Sequence, residues 1–349
     1  MRATSRFLLG FAIVCSGWAQ TTRTYAEKLG WKQADRVLIL HMDDAGMSYD
    51  SDAGIEAVLE RGAARSLSVM MPCPWVPEMV RYIKAHPGTD AGLHLTLTSE
   101  WHDYRWAPLA GAAVPGLIDS EGALWSAVSS VVGHATADEV DREIRAQLDR
   151  AERMGFHPTH LDSHMGTLFA SPAFLEKYIQ LGIEKRIPVM LPGGHDTYIK
   201  ADLDAPVIAR LKREGKYSPG MALPSDANVQ RMRSLGERLW RSGLPVLDDL
   251  HNTSYGWKLP EGAGGDDVLR QWRTGHYTET LNELKPGVTM VIMHCTAPTE
   301  IFPHISSSGN IRKADMLAML DPAFQKFLRD HGFIVTTWRE LQERRSRIP

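Results

Sequence analysis

Cysteine is scarce in this chain, and that scarcity limits the chemistry the sequence can support. There are three cysteines in 349 residues, and the first, Cys15, lies in the N-terminal segment. The remaining two, Cys73 and Cys295, lack the spacing of a zinc site built on thiolates. In an oxidising compartment they could form a disulfide, but two buried free thiols fit the sequence equally well.

Long runs of one charge, internal repeats and long apolar segments are also missing. The formal net charge is −3, with acidic and basic residues interspersed. This argues against nucleic acid or an anionic membrane as the main partner. The apolar run near the N-terminus, residues 7–14, is too short to span a bilayer comfortably. The oligomeric state cannot be read from the sequence.

The first nineteen residues have the features of a secretory signal peptide. Arg2 and Arg6 give a positive start, residues 7–14 an apolar centre, and residues 17–19 a small-x-small cleavage pattern. Cleavage after Ala19 predicts a secreted or periplasmic protein with no stable membrane insertion once the leader is removed. An uncleaved anchor is the alternative.

After the leader, short apolar runs alternate with helical patterns. The helix predicted from Thr136 to Met154 is one example, because Thr136 and Glu139 form a capping box and Gly155 follows the end. Such alternation predicts a parallel sheet with helices outside it. The predicted strands cover residues 37–41, 67–71, 90–98, 159–163, 187–191, 245–250, 288–294 and 333–337.

The number of predicted strands favours a closed or nearly closed barrel over a doubly wound sheet. We therefore predict an α/β fold, a distorted (β/α) barrel of seven or eight mostly parallel strands, in one catalytic domain over residues 35–345. Segments 99–133 and 192–243 are longer than typical connections and are predicted to form active-site loops.

Histidine is abundant, with fourteen in the chain. His94, His164 and His294 lie near the carboxyl ends of predicted strands, as does the pair Asp43-Asp44. Barrel enzymes carry their active sites at this end of the strands. His294 could donate a proton to a leaving nitrogen, while a loop histidine without a role is the alternative.

The carboxylate pair and the first two histidines suggest a metal site. Asp43-Asp44 alone could be a solvated turn, and His94 alone a satisfied core histidine. In residues 160–164, however, alternation places His160, Asp162 and His164 on one face. A bound cation would explain this convergence of ionisable groups.

One carboxylate of the pair, with His94 and His164, would form a three-ligand site with positions left open for water. Open sites of this kind are typical of catalytic metals. Water loses its proton more readily beside such a cation, and the second carboxylate is placed to accept that proton.

Three segments together resemble the YdjC-like carbohydrate deacetylases, the group that includes chitooligosaccharide deacetylases. They are His-Met-Asp-Asp-Ala-Gly-Met-Ser at 41–48, Gly-Leu-His-Leu-Thr-Leu-Thr at 92–98 and Pro-Thr-His-Leu-Asp-Ser-His at 158–164. Their order and spacing agree with the family. Two departures are Ala45, where members usually have Phe, and Met165-Gly166-Thr167-Leu168, where members commonly have more histidines.

The resemblance implies a distorted (β/α) barrel, as in glycoside hydrolases and deacetylases, that removes an N-acetyl group from an amino sugar using one divalent metal ion. By position, Asp44, His94 and His164 resemble the metal ligands, Asp43 the general base and His294 the general acid. Water on the metal would attack the acetamide carbonyl. Imidazole ligands favour zinc, while the carboxylate also suits magnesium, manganese or cobalt.

Further residues are candidates for supporting the ligands or contacting the substrate. His160, Asp162, Trp101 and His251 are the main ones, and His195 is weaker. Other aromatic residues that could stack on sugar rings are Trp75, Tyr104 and Trp106.

Two other functions remain compatible with the sequence. The same ligands could serve another amide or ester hydrolase, or the chain could be a non-catalytic carbohydrate-binding relative. The presence of Asp43 and His294 argues against the latter, because binding alone would need neither.

Overall fold

The computed structural model describes residues 23–262 and 264–349. The predicted signal peptide lies outside these residues, so its cleavage and the export of the protein stay predictions. Within the described ranges, no helix combines the length and apolarity needed to cross a bilayer.

Seven parallel strands form one curled sheet. Its path runs β4-β3-β2-β1-β6-β5, and β7 pairs with β1 beside that path. The strands are β1 (Arg36–Ala45), β2 (Ser66–Val69), β3 (Asp90–Leu95), β4 (Leu161–Ser163), β5 (Asp249–His251), β6 (Gly287–Met293) and β7 (Phe333–Val335).

The segment 188–193 joins the two ends of this path. Leu161 bridges Val189, and Pro192 bridges Leu247 just ahead of β5. Hydrogen bonding therefore continues from β4 to β5 around the sheet, with β7 left outside. The predicted distorted barrel is confirmed. The predicted strand 187–191 is reduced to these isolated bridges.

Helices cover the outside of the sheet. The longer ones are α2 (Tyr49–Arg61), α3 (Val76–Ala85), α5 (Ala137–Arg153), α6 (Pro172–Lys185), α7 (Thr197–Arg213), α8 (Pro224–Arg241), α9 (Asp266–Glu283), α10 (Gly309–Leu320), α11 (Pro322–Asp330) and α12 (Trp338–Ser346). The shorter ones are α1 (Tyr25–Lys28) and α4 (Val128–His134). Thr136 caps α5 through the capping box with Glu139 that the sequence predicts.

The segment 192–243 is not the loop that the sequence analysis predicts, because α7 and α8 occupy most of it. Ile199, Leu203 and Val207 do recur at helical spacing, but Pro206 lies inside α7, and a proline within a segment argues against a helix there. The segment 99–133 does remain mostly irregular, with two short 3₁₀ turns before α4.

Alternate residues of β1 face two separate parts of the core. Leu38, Leu40 and Met42 pack in the larger cluster, whereas Val37 and Ile39 pack with the smaller one. A strand buried on both faces reads as a continuous apolar run, as β1 does. Cys73 and Cys295 are both buried and free, so the disulfide alternative is not realised.

Gly92 in the second motif is required by packing. A Cβ atom at this position would lie 2.5 Å from the imidazole ring of His160. We expect Gly92→Ala to lower the free energy of unfolding by about 1–3 kcal/mol, because over-packing forces a buried ring to move. Gly88→Ala is the matched control, since a Cβ there meets nothing within 4 Å. Equal thermal denaturation midpoints for the two variants would contradict this account.

Candidate active site

A bulge at the end of β1 brings two consecutive carboxylates to the same cavity. The pairing of β1 with β2 shifts register between Met42 and Ala45, and Asp44 has a φ of 66°. In a regular strand, neighbouring side chains point to opposite faces, but a bulge changes the direction of a side chain. Asp43 and Asp44 consequently both line the cavity.

The turn that follows is held by Asp52 on α2. Its Oδ1 accepts a hydrogen bond of 2.6 Å from the backbone N–H of Gly46. Gly46 itself has a φ of 77°, and a Cβ there would lie 2.8 Å from Val76. Glycine is therefore needed at this position both for its backbone conformation and for close packing.

Three donor atoms converge beside this turn. Asp44 Oδ1 lies 3.4 Å from His94 Nε2 and 3.4 Å from His164 Nδ1, and the two nitrogens are 3.2 Å apart. Metal–ligand distances of about 2.0–2.2 Å in a tetrahedral zinc site give ligand–ligand separations of about 3.3–3.6 Å. The three atoms are thus spaced as ligands of one small divalent ion.

The same oxygen also lacks any other partner. Asp44 Oδ1 is buried and accepts no hydrogen bond from the residues that the structure describes. Buried polar atoms are normally satisfied, so an orphan of this kind calls for a specific explanation. A cation between Asp44, His94 and His164 provides one, and the residues present therefore fit a divalent metal.

In each histidine of this trio, the ring nitrogen that does not face Asp44 contacts another carboxylate. His94 Nδ1 lies 2.7 Å from Asp162 Oδ1, and β3 and β4 pair these two residues directly. His164 Nε2 lies 3.1 Å from both carboxylate oxygens of Glu100. Carboxylates in this position orient metal-binding imidazoles and fix their tautomers.

Glu100 was missed by the sequence analysis. It lies in an irregular segment five residues after the end of β3, and no local pattern distinguishes it from a surface glutamate. Only the fold places its side chain against His164, where it also lines the cavity.

Replacing Glu100 tests this orienting contact. We expect Glu100→Gln to weaken metal affinity by about 10- to 100-fold, because that is the usual loss when a group bonded to a ligand is removed. Excess metal should restore most of the activity, which separates this role from direct catalysis. Glu121→Gln, at an exposed glutamate that does not line the cavity, is the control. Unchanged metal affinity in Glu100→Gln would refute the assignment.

The second oxygen of Asp44 is bound by an arginine. Arg312 Nη1 on α10 lies 2.7 Å from Asp44 Oδ2, and the same oxygen is 4.0 Å from His294 Nε2. The Arg312 guanidinium holds the pKa of Asp44 well below its usual range, although burial opposes this effect. Asp44 is thereby kept ionised with Oδ1 free to bind a cation. Sequence reasoning gave no sign of Arg312.

His41 links the carboxylates behind the site. Its Nε2 lies 2.9 Å from Asp162 Oδ2 and 3.2 Å from Asp43 Oδ1. Ser66 and Ser68 on β2 complete its contacts, at 2.8 and 3.0 Å. Burial lowers the pKa of His41, but the bonds to Asp162 and Asp43 outweigh it and raise the value to about 9. His41 thus holds a positive charge between the two aspartates.

The carboxylates around the trio also affect the pKa of its two histidines. Burial lowers the pKa of His94 and of His164. For His94 the charges of Asp43 and Asp162 overcome this and raise the pKa well above its usual value. For His164, Glu100 and Asp44 raise it to about 9. The surrounding carboxylates therefore favour a cation where the imidazoles meet.

His294 follows β6 and is positioned through its backbone. Its N–H donates to Asp315 Oδ2 on α10 at 2.9 Å, and Arg273 and Tyr277 on α9 bind the other oxygen of Asp315. Burial lowers the pKa of His294, against the raising effect of Asp44. The imidazolium is consequently a stronger acid but is less populated at neutral pH. The ring of Tyr255 lies 4.9 Å from the His294 ring.

A cavity of about 600 Å³ opens over these residues. Asp43, Asp44, His94, His164 and His294 all line it. Trp101 does as well, and Arg312 lies 5.8 Å from the centre of its ring.

Several other candidates from the sequence lie outside this cavity. His160 is fully buried and stacks on Trp338 with ring centres 5.3 Å apart. His160 does not line the cavity, and its Nε2 lies 3.9 Å from Asp162 Oδ2. His251 is fully buried between Tyr198 and Trp257, and burial lowers its pKa to about 4.

The remaining candidates have structural contacts of their own. His195 pairs with Asp249, 3.4 Å away. Trp106 is buried and donates to Thr98 O, while Tyr104 donates to Met47 O. Trp75 is 41% exposed and packs on Tyr49.

Two known proteins are similar to this chain in sequence. The carbohydrate deacetylase of Thermus thermophilus is 28% identical over 309 residues, which cover 88% of this chain and 94% of that protein. The chitooligosaccharide deacetylase of Yersinia enterocolitica is 29% identical over 133 residues, or 37% of this chain and 49% of that protein.

A solved structure agrees with the fold. It is an Enterococcus faecalis protein described in connection with cellobiose-phosphate cleavage, and it superposes with a TM-score of 0.64. The sequence identity is 17%, and the match covers 88% of this chain and 99% of that one. At this identity the likeness concerns the fold alone.

The sequence model of the family described as YdjC-like protein matches residues 37–330, which include every segment that lines the cavity. This match confirms the resemblance carried by the three motifs, and the chain therefore belongs to the YdjC-like family.

Proposed function

We propose that this protein is a metal-dependent hydrolase that removes the N-acetyl group from an acetylated amino sugar or oligosaccharide. The convergence of Asp44 Oδ1, His94 Nε2 and His164 Nδ1 within 3.2–3.4 Å of one another carries this proposal. The names of the curated relatives, which are carbohydrate deacetylases, supply the class of substrate.

In this proposal, Asp44, His94 and His164 hold one divalent ion. Such an ion would polarise the acetamide carbonyl, stabilise negative charge on its oxygen and make water more acidic. The two imidazoles and one carboxylate favour zinc, and magnesium remains the main alternative.

Asp43 acts as the general base. Its carboxylate lines the cavity, and its Oδ2 lies 3.7 Å from His94 Nε2, so it borders the metal position without belonging to the tightest trio. His41 holds Oδ1 at 3.2 Å and thereby fixes the carboxylate. Asp43 would accept a proton from the attacking water.

His294 acts as the general acid on the departing nitrogen. Its ring borders the cavity near Asp44 Oδ2, 4.0 Å away. A low pKa suits this step, because the imidazolium readily gives up its proton once it has formed. Asp315 holds the backbone of His294 and thus fixes where the ring lies.

We also propose that the protein acts outside the cytoplasm. The positive start, apolar centre and small-x-small pattern of residues 1–19 support this. N-terminal sequencing of the exported protein, expected to begin at Gln20, would test it.

Two measurements test the proposed function. The metal content of the purified protein should be about one ion per chain, and acetate should be released from N-acetylated oligosaccharides. Chelation should stop the release, and added zinc should restore it. Bound metal without acetate release from any sugar would favour the other amide or ester hydrolases. A metal-free native protein would refute the proposal.

A further inference from the structure

The cavity extends well beyond the carboxylates and histidines, and much of its remaining lining is apolar. This second region, the apolar arm, is lined by Phe169, Met190, Ile199, Leu203, Val229 and Met232. Ile199 and Leu203 come from α7, and Val229 and Met232 come from α8. The two helices predicted as loops therefore build one wall of the cavity.

The arm presents apolar surface to open space. Leu203 is 46% exposed although it lines the cavity. Met165, which follows His164, also lines the cavity and is 49% exposed. Contiguous exposed apolar surface in a concave site is a feature of ligand-binding grooves.

The region that adjoins the cavity beside Glu100 is polar by contrast. A second cavity shares Glu100, Trp101 and Tyr255 with the first. Its other lining residues include Asp103 and the serines at 306–308. Hydroxyl-rich sugar suits this side, whereas the apolar arm offers little to a sugar hydroxyl.

The polar residues of α7 and α8 that line the cavity do not all face the apolar surface as ions or free amides. Asn228 and Arg231 line the cavity but are exposed, so solvent can satisfy them. Asp196 is buried, and burial and the charge of Asp249 raise its pKa to about 7. Near pH 7 about half of this carboxyl is therefore protonated, and the neutral form interrupts an apolar wall less than the ionised form does.

We infer that the natural substrate is amphiphilic: an N-acylated amino sugar that carries a hydrocarbon group, with the sugar on the polar side and the hydrocarbon in the apolar arm. This inference rests on the proposed function. The arm is continuous with the metal-binding trio in one cavity, so both parts of such a molecule would be bound together. The hydrocarbon belongs either to the acyl group on nitrogen or to the aglycone.

Three probes test the inference and distinguish these two sources. They are the methyl and octyl glycosides of N-acetylglucosamine and the methyl glycoside of N-octanoylglucosamine, each below its micelle concentration. Burial of one methylene is worth up to about fourfold in binding. We expect at least one of the two probes with an eight-carbon chain to have a kcat/KM more than tenfold above that of the methyl glycoside of N-acetylglucosamine, mainly because its KM is lower. The probe with the higher kcat/KM shows whether the hydrocarbon belongs to the acyl group or to the aglycone.

The variant Leu203→Gln/Met232→Gln should remove most of this gain. Both positions line the arm, and neither belongs to the metal-binding trio. Met221→Gln, at a partly exposed methionine that does not line the cavity, is the matched control and should retain the gain.

The failure of this inference is distinguishable from failure of the proposed function. Equal kcat/KM for all three probes would overturn the inference and leave the deacetylase proposal standing. If no probe is hydrolysed, binding is measured by calorimetry. Tighter binding of a probe with an eight-carbon chain than of the methyl glycoside of N-acetylglucosamine supports the inference, provided that the difference is lost in Leu203→Gln/Met232→Gln. Equal binding of all probes overturns it.

Discussion

Replacing His164 with alanine should reduce kcat/KM by about 10³-fold or more and release the metal. His164 supplies one of three donor atoms that lie 3.2–3.4 Å apart, and no other imidazole among the described residues lies close enough to replace it at this trio. A bound cation supplies several kcal/mol of transition-state stabilisation, and each 1.4 kcal/mol is a factor of about ten in rate.

Metal analysis and acetate release, measured on the same preparations, check this result. His94→Ala should lose metal and activity in the same way. His331→Ala is the matched control, because this histidine is exposed and lies beside β7, at the amino-terminal end of β1. Circular dichroism should show that all three variants fold. Full metal content in His164→Ala would mean that the metal is held elsewhere.

The second large effect is expected from Asp43→Asn, which should lower kcat by about 10²- to 10⁴-fold with the metal retained. General bases contribute roughly this much. Asparagine has the same shape but cannot accept the proton from water at neutral pH. The ligand trio uses Asp44 and not Asp43, so metal binding should persist.

The neighbouring variant Asp44→Asn provides the contrast. It should lose metal and activity together, because Oδ1 of Asp44 is the donor and Arg312 holds the other oxygen. If Asp43→Asn lost the metal while Asp44→Asn kept it, the two roles would have to be exchanged. Metal titration by calorimetry on both variants, followed by kcat at saturating metal, separates the outcomes.

Much of the site was predictable because its ligands follow strands. His94, His164 and the carboxylate pair come at the ends of apolar runs, and parallel strands bring their carboxyl ends together. The partners of these residues were not predictable. Glu100 comes from an irregular segment and Arg312 from the face of a helix near the chain end, and neither shows a local pattern.

The candidates placed outside the cavity show why a histidine count is insufficient. His160 and His251 occur near strand ends, as the cavity histidines do, but both are fully buried against aromatic rings. Strand alternation gives the side of the strand on which a residue lies. It does not tell whether that side opens to a cavity or is covered by another element.

The sequence by itself determined that parallel strands alternate with helices along the chain. It also determined the family and the residue types of the metal-binding trio. These depend on local periodicity and short motifs. The tertiary structure alone showed how the consecutive carboxylates of Asp43 and Asp44 reach one cavity, because the bulge in β1 and the positive φ of Asp44 overturn strand alternation. It also decided which partners hold the ligands, since contacts between residues up to 268 positions apart leave no local signal.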